Sequence, residues 1–411
     1  VGGCTPADTF KIRAPTPLIM VDPLTSMNRD LLLVILSLLT WGTGEGMFLS
    51  FEPLYLEELG ADPVRIGAIL GALGLAMAVA QAPAGYLADR FGRKPIMVSA
   101  WYLGVASTGI MALATSLPLF VVGLLIYGLT SWVITPLNSY VTSARGTLSV
   151  GRALTLVSAT YHAGAILGPL LGGWIGEHWG LRYTFVAAAF IFILSTTMIV
   201  FIRSQDVDAS LPGERRVDLF KNTRFLHFLG VVLVVMVALY LPQPLSPNFL
   251  QNEREISLGT IGQLLSVGSI GIVVLNLLLG QLSTRSAFVL GQVAVGGFAV
   301  FLWRGYGFPW FALGYFLLGG YRVAMNLSNA EVRDLVTPAN MGLAYGVTTT
   351  VSLLATVIAP PIAGLLYDRN PEWIYPVSLV LIGVGVLLSL RFLSKSVERG
   401  SDLQASEVLE V

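Results

Sequence analysis

Two ionisable residues lie inside long apolar stretches, where each could do chemistry. Glu45 occurs in the segment WGTGEG, and Arg322 ends the segment GGYR. An ionisable side chain at bilayer depth costs about 2.5–3.5 kcal/mol on insertion scales, so such residues are functional candidates. We hypothesise that Glu45 binds and releases protons while it contacts Arg322, a ligand and water in turn. Two alternatives stay open: a static Glu45–Arg322 pair that joins two helix bundles, or two unrelated residues that face water.

Other polar residues extend from these positions at helical spacing. Residues three or four apart share one face of a helix, so two polar stripes are predicted to line a cavity. The stripes are Arg322, Asn326, Asn329 and Arg333 in one helix, and Asn138, Thr142 and Arg145 in another. Five further candidates for the cavity wall are Tyr161, His162, Tyr240, Gln243 and Asn276.

For several of these candidates a structural role is the alternative. His162 could be a satisfied buried histidine. Tyr240 and Gln243 lie in a stretch broken by three prolines, which could be only a kinked helix end. Asn276 could bond to a neighbouring helix instead of lining the cavity. Glu52 is predicted to lie at the outer mouth.

The elements that must hold these residues are membrane-spanning helices. The 411 residues are 55% hydrophobic and 12% charged, whereas soluble domains carry about 25% charge. A span needs about 20 apolar residues, and strand-like alternation is absent, so the spans are predicted to be helices. Twelve stretches qualify: 31–56, 63–88, 94–115, 118–145, 152–176, 181–203, 225–250, 258–283, 286–304, 308–333, 341–367 and 372–394.

The distribution of charge orients these helices. With the N-terminal segment placed inside, the inner side holds 18 of the 24 Lys and Arg and the outer side holds five. An excess of this size predicts that both termini are cytoplasmic. Residues 1–28 lack the apolar core of a signal peptide. The net charge of zero suggests no nucleic-acid partner, and Cys4, the single cysteine, excludes a disulfide framework and a cysteine metal site.

A polar interval divides the chain into two halves that repeat each other. A shift of 195 residues superposes Gly67 on Gly262, and a shift of 188 superposes Asn138 on Asn326. Duplicated halves are typical of secondary transporters, whose substrate site lies where the halves meet. The predicted segments are a tail at 1–30, six-helix bundles at 31–203 and 225–394, a cytoplasmic linker at 204–224 and a tail at 395–411.

The connection between the second and third spans carries the motif GYLADRFGRKP. Gly85 and Gly92 permit close helix approach and a tight turn. Asp89 offers an acceptor, and Arg90 and Arg93 anchor the loop at the inner surface. The motif resembles the signature loop of the major facilitator superfamily, G-x-L-x-D-R-x-G-R-[KR], at every defining position.

That resemblance implies a cytoplasmic gate. The acid of the loop, Asp89, would latch the two bundles near Met341 when the cavity faces outward, with Arg145 as a nearby partner. Arg333, at the inner end of the tenth span, would stabilise the gate. The second copy of the motif has Thr284 where the acid should recur, which predicts an asymmetric latch.

A glycine-rich element, GAILGPLLGG, lies in the fifth span. Its glycines, four residues apart, allow helices to pack backbone to backbone, and its proline permits a bend. The element is Gly164, Gly168, Pro169 and Gly172, and it resembles the G-x-x-x-G-P-x-x-G-G pattern of antiporters in the same superfamily. The alternative is a packing face with no bearing on transport direction. Leu124 stands where the superfamily's drug–proton antiporters usually carry an arginine, which keeps the substrate open.

The resemblance implies an all-α integral membrane protein with 12 transmembrane helices in two pseudo-symmetric six-helix bundles. Such a protein moves a small molecule by alternating access. The leading prediction is proton-coupled export of drug-like or amphipathic compounds. The alternative is a proton-coupled or facilitated carrier of a small polar or anionic metabolite, such as a sugar or an organic acid.

An enzyme is not expected, because the chain has no G-x-x-x-x-G-K-[ST] nucleotide loop, no G-x-S-x-G elbow and only three scattered histidines. No cofactor and no metal are expected for the same reason. The expected partners are a small-molecule substrate, the proton and the lipid bilayer. The protein is predicted to be a monomer in a plasma membrane, the inner membrane of a prokaryote.

Overall fold

In the computed structural model, the described residues of each half form helices joined by short connections. The structure describes residues 28–81, 83–205, 221–332, 335–336 and 341–409, and at residues 85, 89, 342 and 392–409 it describes the backbone alone. Within these ranges every regular element is a helix, which confirms the predicted all-α class. Most of the predicted linker and of the N-terminal tail lies outside the described residues, so the domain boundaries stay a prediction.

The described part of the first half contains nine α-helices. They are α1 (Arg29–Phe48), α2 (Glu52–Glu58), α3 (Pro63–Gln81), α4 (Ala84–Phe91), α5 (Arg93–Leu113), α6 (Leu117–Leu129), α7 (Ile134–Ala144), α8 (Val150–Trp179) and α9 (Arg182–Val200). A 3₁₀ turn at Thr130–Val133 joins α6 to α7, so that the two form one continuous span.

The described part of the second half contains eight α-helices. They are α10 (Thr223–Tyr240), α11 (Ser246–Arg254), α12 (Leu258–Leu279), α13 (Thr284–Arg304), α14 (Phe308–Leu318), α15 (Gly320–Val332), α16 (Met341–Arg369) and α17 (Ile374–Leu409). A 3₁₀ turn at Pro371–Trp373 precedes α17.

Among the described residues, eleven helical segments are long and apolar enough to cross a membrane. The predicted tenth span, 308–333, is not one of them, because the chain bends at Gly319 into α14 and α15, each too short to span alone. The amide of Arg322 donates to the carbonyl of Gly319 at 3.1 Å, so the two helices follow one another directly. Counted as one crossing, the pair brings the segments to the twelve that the sequence predicts.

Two predicted spans end earlier than expected. The stretch 31–56 divides into α1 and α2 around Ser50, and the stretch 225–250 divides into α10 and α11. Pro53 and Pro247 occupy the first turn of the new helices, where the missing N–H of proline leaves no hydrogen bond unmade. The short helices α2 and α11 therefore follow equivalent spans in the two halves.

A buried polar cluster fixes the register of three spans in the first half. The indole Nε1 of Trp101, on α5, lies 2.9 Å from Ser37 Oγ on α1 and 2.8 Å from Ser195 Oγ on α9. The two hydroxyl oxygens are 2.8 Å apart. All three side chains are buried, and a buried polar group that loses its partner is destabilising. The cluster therefore specifies how α1, α5 and α9 pack.

Among the described residues, the main contacts between the two halves are α3 with α16, α8 with α12, and α2 with α11. We call the end of the bundles that holds Arg29, Arg93, Arg145 and Arg152 the basic end, and the other the opposite end. The side-chain hydrogen bonds between the halves, among the described residues, run from the opposite end to about the middle of the spans. The halves are therefore closed against each other at the opposite end.

Candidate functional site

Glu45 is held in the middle of the first half by an aromatic neighbour. Tyr161 Oη, on α8, donates a hydrogen bond to Glu45 Oε2, on α1, at 3.0 Å. The two residues can meet because α1 has a glycine, Gly42, directly against the backbone of Tyr161. Trp41 and Tyr127 also lie beside the carboxylate, and their rings stack with centroids 6.3 Å apart. The carboxylate is therefore half-buried and already hydrogen-bonded.

Arg322 projects from α15 toward this site. It is exposed despite its mid-span position, and it is close enough to Glu45, Tyr161 and His162 to interact with them electrostatically. Within the described residues, however, its guanidinium has no hydrogen-bond partner and no carboxylate within 4.0 Å. The static Glu45–Arg322 pair, one of the alternatives from the sequence, is therefore not present in this conformation.

Glu52, the first residue of α2, is a second carboxylate near Glu45. The sequence predicts Glu52 at the outer mouth, and in this conformation the residue is 5% exposed, because the halves are closed at the opposite end. Its Oε2 has no hydrogen-bond partner, and it interacts electrostatically with Glu45. The site thus contains two acids, one hydrogen-bonded and one with an unpaired oxygen.

The remaining cavity candidates divide into two groups. The first group surrounds Arg322: the rings of Tyr240 and Tyr321 lie 5.6 Å apart, and half-buried His162 lies beside Tyr161. Both tyrosines interact electrostatically with Arg322.

The second group has bonds within its own half. Asn326 donates to Asn276 Oδ1 at 2.9 Å, a contact between α15 and α12. Gln243, in the turn between α10 and α11, donates to the carbonyl of Leu239 near the end of α10 at 2.7 Å. Asn138 is exposed and its carbonyl accepts from Thr142.

Repeated glycines close the opposite end. A Cβ on Gly67 of α3 would collide with the carbonyl oxygen of Pro360 on α16, and a Cβ on Gly262 of α12 would collide with that of Pro169 on α8. These are the glycines that the shift of 195 superposes. The two halves therefore make equivalent backbone contacts across the interface.

A polar contact between α2 and α11, which sequence reasoning did not identify, also joins the halves. Glu57 accepts from Asn252 Nδ2 at 2.8 Å through Oε1 and from Asn248 Nδ2 at 2.5 Å through Oε2. Asn248 Nδ2 also donates to the carbonyl of Pro53 at 3.2 Å. We call these side chains of Glu57, Asn248 and Asn252 the polar latch. The signal in the sequence was the shift of 195, which relates Pro53 to Asn248 and Glu57 to Asn252.

Another acid contributes to the same closure. Glu177 Oε2, near the end of α8, accepts from the backbone N–H of Gly259 at 2.7 Å and from Ser257 Oγ at 3.3 Å. These groups lie at the N-terminus of α12, where the helix dipole favours an anion. Glu177 therefore caps a helix of the other half.

The basic end contains the loop predicted as a gate. Gly92 has φ 88° between α4 and α5, a conformation that favours glycine. Arg93 donates to Ser143 Oγ at 2.7 Å and to Gln205 Oε1 at 3.1 Å, and Arg90 donates to Tyr86 Oη at 3.2 Å. Arg145 donates to the carbonyl of Thr142 at 2.9 Å.

The central residue of this gate is not described in full. The side chain of Asp89 and the whole of Arg333 lie outside the described residues, and at Gly85 the backbone alone is described. The predicted latch at Asp89 therefore stays a prediction.

The glycine-rich element of α8 packs on both of its sides. Toward α1, Cβ atoms on Gly164, Gly168 and Gly172 would collide with backbone carbonyl oxygens one turn apart on that helix. Toward α12, the carbonyl of Pro169 lies against Gly262. The element thus places α8 between the Glu45 helix and the second half. This arrangement fits the packing role proposed from its sequence and leaves its bearing on transport direction a prediction.

Comparison with known proteins gives the family. A sequence model of the Major Facilitator Superfamily matches residues 33–360 and also residues 228–408. The multi-drug resistance efflux pump PmrA of Streptococcus pneumoniae serotype 4 is 26% identical over 265 residues, 61% of this chain and 63% of that protein. Multidrug resistance protein 1 of Bacillus subtilis is 21% identical over 386 residues, 88% of this chain and 96% of that protein. Several other relatives are matched over only about half of their length.

Solved structures agree with the fold. The crystal structure of the nucleoside transporter NupG superposes with a TM-score of 0.73 at 16% identity, over 90% of this chain and 99% of that one. At this identity the likeness concerns the fold. The family match covers more than half of the residues and agrees with the crossing segments and the repeated halves. The chain belongs to the Major Facilitator Superfamily.

Proposed function

We propose that the protein exports drug-like or amphipathic compounds in exchange for protons. The observation that carries the proposal is Glu45, a half-buried carboxylate that Tyr161 holds by a hydrogen bond and that faces Arg322 of the other half. A charged carboxylate at this depth is costly. Proton uptake there would therefore be linked to the opening and closing of the cavity.

The proposed cycle is a rocking of the two halves about this site. In the present conformation the opposite end is closed by the glycine contacts, the polar latch and Glu177. Opening that end would break these contacts, while the loop of Asp89 would close the basic end. Superfamily members that work by alternating access use such rigid-body motions around a central site.

We place the basic end in the cytoplasm. The excess of Lys and Arg on that side supports this orientation, and it puts both termini inside the cell. The end that is closed in this conformation is then the extracellular one, which fits uptake of a compound for export from the cytoplasm. The two relatives named above are bacterial proteins, which supports a prokaryotic inner membrane, and we expect a monomer.

The similarity to multidrug resistance proteins of Streptococcus pneumoniae and Bacillus subtilis supports export of drug-like compounds. The half-buried aromatic side chains at the site, Tyr161 and Tyr240, support an amphipathic substrate, because each offers apolar contact area together with a hydroxyl group.

A second candidate function is the carriage of a small polar or anionic metabolite. The pair Asn276–Asn326 and the unpartnered Arg322 favour it, since they make the second half's wall polar. In that case transport would be selective for small hydrophilic solutes, and aromatic compounds would not inhibit the transport of these solutes.

The experiment uses purified protein in liposomes and two permanently charged aromatic probes, 1-naphthalenesulfonate and trimethyl(1-naphthylmethyl)ammonium. We expect an imposed pH gradient to accelerate flux of at least one probe about tenfold, and the Glu45→Gln variant to lose that acceleration. Glu58→Gln, which changes an exposed acid at the opposite end, is the matched control. Flux that ignores the gradient, or no flux of either probe, would contradict the proposal.

A further inference from the structure

Glu45 and Arg322 carry opposite charges, and they differ in whether each has a hydrogen-bond partner. The carboxylate of Glu45 has a hydrogen-bond donor in Tyr161 at 3.0 Å. The guanidinium of Arg322 is exposed, and in the described part of the chain it has no hydrogen-bond acceptor and no ion-pair partner. Glu52, the second acid, also has an unpaired oxygen, but it is only 5% exposed. The exposed group with unfilled binding capacity is therefore the guanidinium of Arg322.

From this difference we infer that Arg322 is the receptor for an anionic group on the substrate, so that the transported compounds are aromatic or amphipathic organic anions. The inference rests on the proposed transport function and names the substrate class of its site. A guanidinium presents five N–H donors in a planar fork that fits a carboxylate, phosphate or sulfonate with two parallel bonds.

The surroundings of Arg322 supply the apolar part of such a site. Half-buried Tyr240, of its own half, lies near it and packs on buried Tyr321 with ring centroids 5.6 Å apart. Half-buried Tyr161 and His162 approach from the other half. Aromatic rings stack on the flat body of an aromatic compound. The anion would thus be held by Arg322 and the ring system by residues of both halves.

The closed opposite end strengthens this binding. A cavity with one open end and low-dielectric walls focuses the field of a cation inside it and concentrates anions there. Arg145, whose guanidinium bonds to the carbonyl of Thr142, adds positive charge on the basic side of the span that carries Asn138. Two acids face this region from the first half: Glu45 on α1, which is hydrogen-bonded to Tyr161, and buried Glu52 on α2, which interacts electrostatically with Tyr240. Among the described residues, neither carboxylate lies within 4.0 Å of the Arg322 guanidinium.

The test compares probes that differ only in charge: 1-naphthalenesulfonate, trimethyl(1-naphthylmethyl)ammonium and neutral 1-naphthalenemethanol. Equilibrium dialysis with the protein in phosphatidylcholine nanodiscs measures binding, and empty nanodiscs correct for partition into lipid. We expect the sulfonate to bind about tenfold more tightly than the ammonium probe. Arg322→Gln should weaken sulfonate binding about tenfold, as the loss of charge-assisted bonds predicts. Arg322→Lys should weaken it less, because the charge stays but the fork is lost.

The matched control is Arg65→Gln, which removes an exposed arginine paired with Asp62 at the opposite end. It should leave the binding of all three probes unchanged. The same Arg322→Gln change is also made in a Glu45→Gln background. If Arg322 only balances Glu45, the change has no effect on sulfonate binding there, and the inference is overturned.

Tighter binding of the ammonium probe by the unmodified protein would overturn the inference as well. That outcome is distinct from failure of the proposed function. A pH-driven flux of the ammonium probe alone would keep proton-coupled export and exclude the anionic substrate class. Sulfonate binding that depends on Arg322, without any pH-driven flux, would keep the anion site and exclude proton coupling.

Discussion

Glu57 Oε1 accepts a hydrogen bond from Asn252 Nδ2 at 2.8 Å, and the two residues are related by the same shift of 195 that superposes Gly67 on Gly262. Each residue therefore meets its own counterpart from the other half. Contacts of this kind form where a two-fold axis passes through an interface. The polar latch thus marks the pseudo-symmetry axis at the opposite end, where the halves must separate if the transporter opens there.

Replacement of Glu57 by alanine should loosen the closed opposite end. The change removes the acceptor of both asparagines, and Asn248 is 1% exposed, so its amide would be left buried without that partner. Charge-assisted hydrogen bonds contribute about 1.5–3 kcal/mol each, so the closed-to-open ratio should fall about tenfold or more. Double electron–electron resonance measures the distance between spin labels at positions 65 and 253. Arg65 and Glu253 are both exposed at this end, and Cys4 is replaced by serine so that it takes no label.

The control for this prediction is Glu58→Ala. Glu58 is the next residue of the same short helix, is exposed, and makes no hydrogen bond to the second half among the described residues. Its replacement should leave the label distance unchanged. Equal distances in the Glu57 and Glu58 variants would show that the latch does not hold the end closed.

Gly262→Ala should also loosen the closed opposite end, because it disturbs a backbone contact between the halves. The new Cβ would collide with the carbonyl oxygen of Pro169, which cannot move aside as a flexible side chain would. We expect the same pair of spin labels to report a longer distance and pH-driven flux to fall. Gly230→Ala, where an added Cβ meets nothing within 4 Å, should change neither quantity. A Gly262 variant with unchanged distance would contradict the assignment of this contact.

Gly168→Ala should reduce the stability of the first half. Its Cβ would collide with the carbonyl of Thr43 on the neighbouring helix, and overpacking of this kind costs about 1–3 kcal/mol. The control lies on the same helix: Gly151 has open space around it, and alanine there favours the helix by about 0.5–1 kcal/mol. In detergent, the Gly168 variant should melt several degrees lower than the Gly151 variant. Identical melting temperatures would refute the packing role.

Tyr161→Phe should slow pH-driven flux about tenfold while the protein stays folded. The variant keeps the ring and removes the hydroxyl that donates to Glu45 at 3.0 Å, and a bond to a charged group contributes about 1.5–3 kcal/mol. Tyr183→Phe, at an exposed tyrosine on α9, is the control. The measurement is the flux of the same probe under the same pH gradient in both variants. An unaltered rate in the Tyr161 variant would remove this bond from the mechanism.

Much of the fold follows from local sequence. The length of the apolar stretches predicts the spans, since each must cross the bilayer. The repeat also superposes Gly67 on Gly262, and in the structure both glycines make close backbone contact with the other half, at Pro360 and at Pro169. The four-residue spacing of Gly164 and its successors likewise corresponds to one packed face of α8.

Other features depend on tertiary packing and were missed or left open. Glu57 and Asn252 differ in type, so a search for identical residues passes over them. The sequence leaves two roles open for Asn276, lining the cavity or bonding to a neighbouring helix. The packing of α15 against α12 brings it within hydrogen-bond distance of Asn326. The distance between Glu45 and Arg322 depends on how far the halves are open, which is a property of the conformational state and not of the residue pattern.

The most direct test of the central claim is the proton flux that accompanies transport. Liposomes that contain the protein and a trapped pH-sensitive dye are given a gradient of the transported naphthalene probe and no pH gradient. The account predicts that probe movement through the unmodified protein drives protons in the opposite direction, and that Glu45→Gln exchanges the probe without moving protons. Proton movement by Glu45→Gln at the rate of the unmodified protein would contradict it.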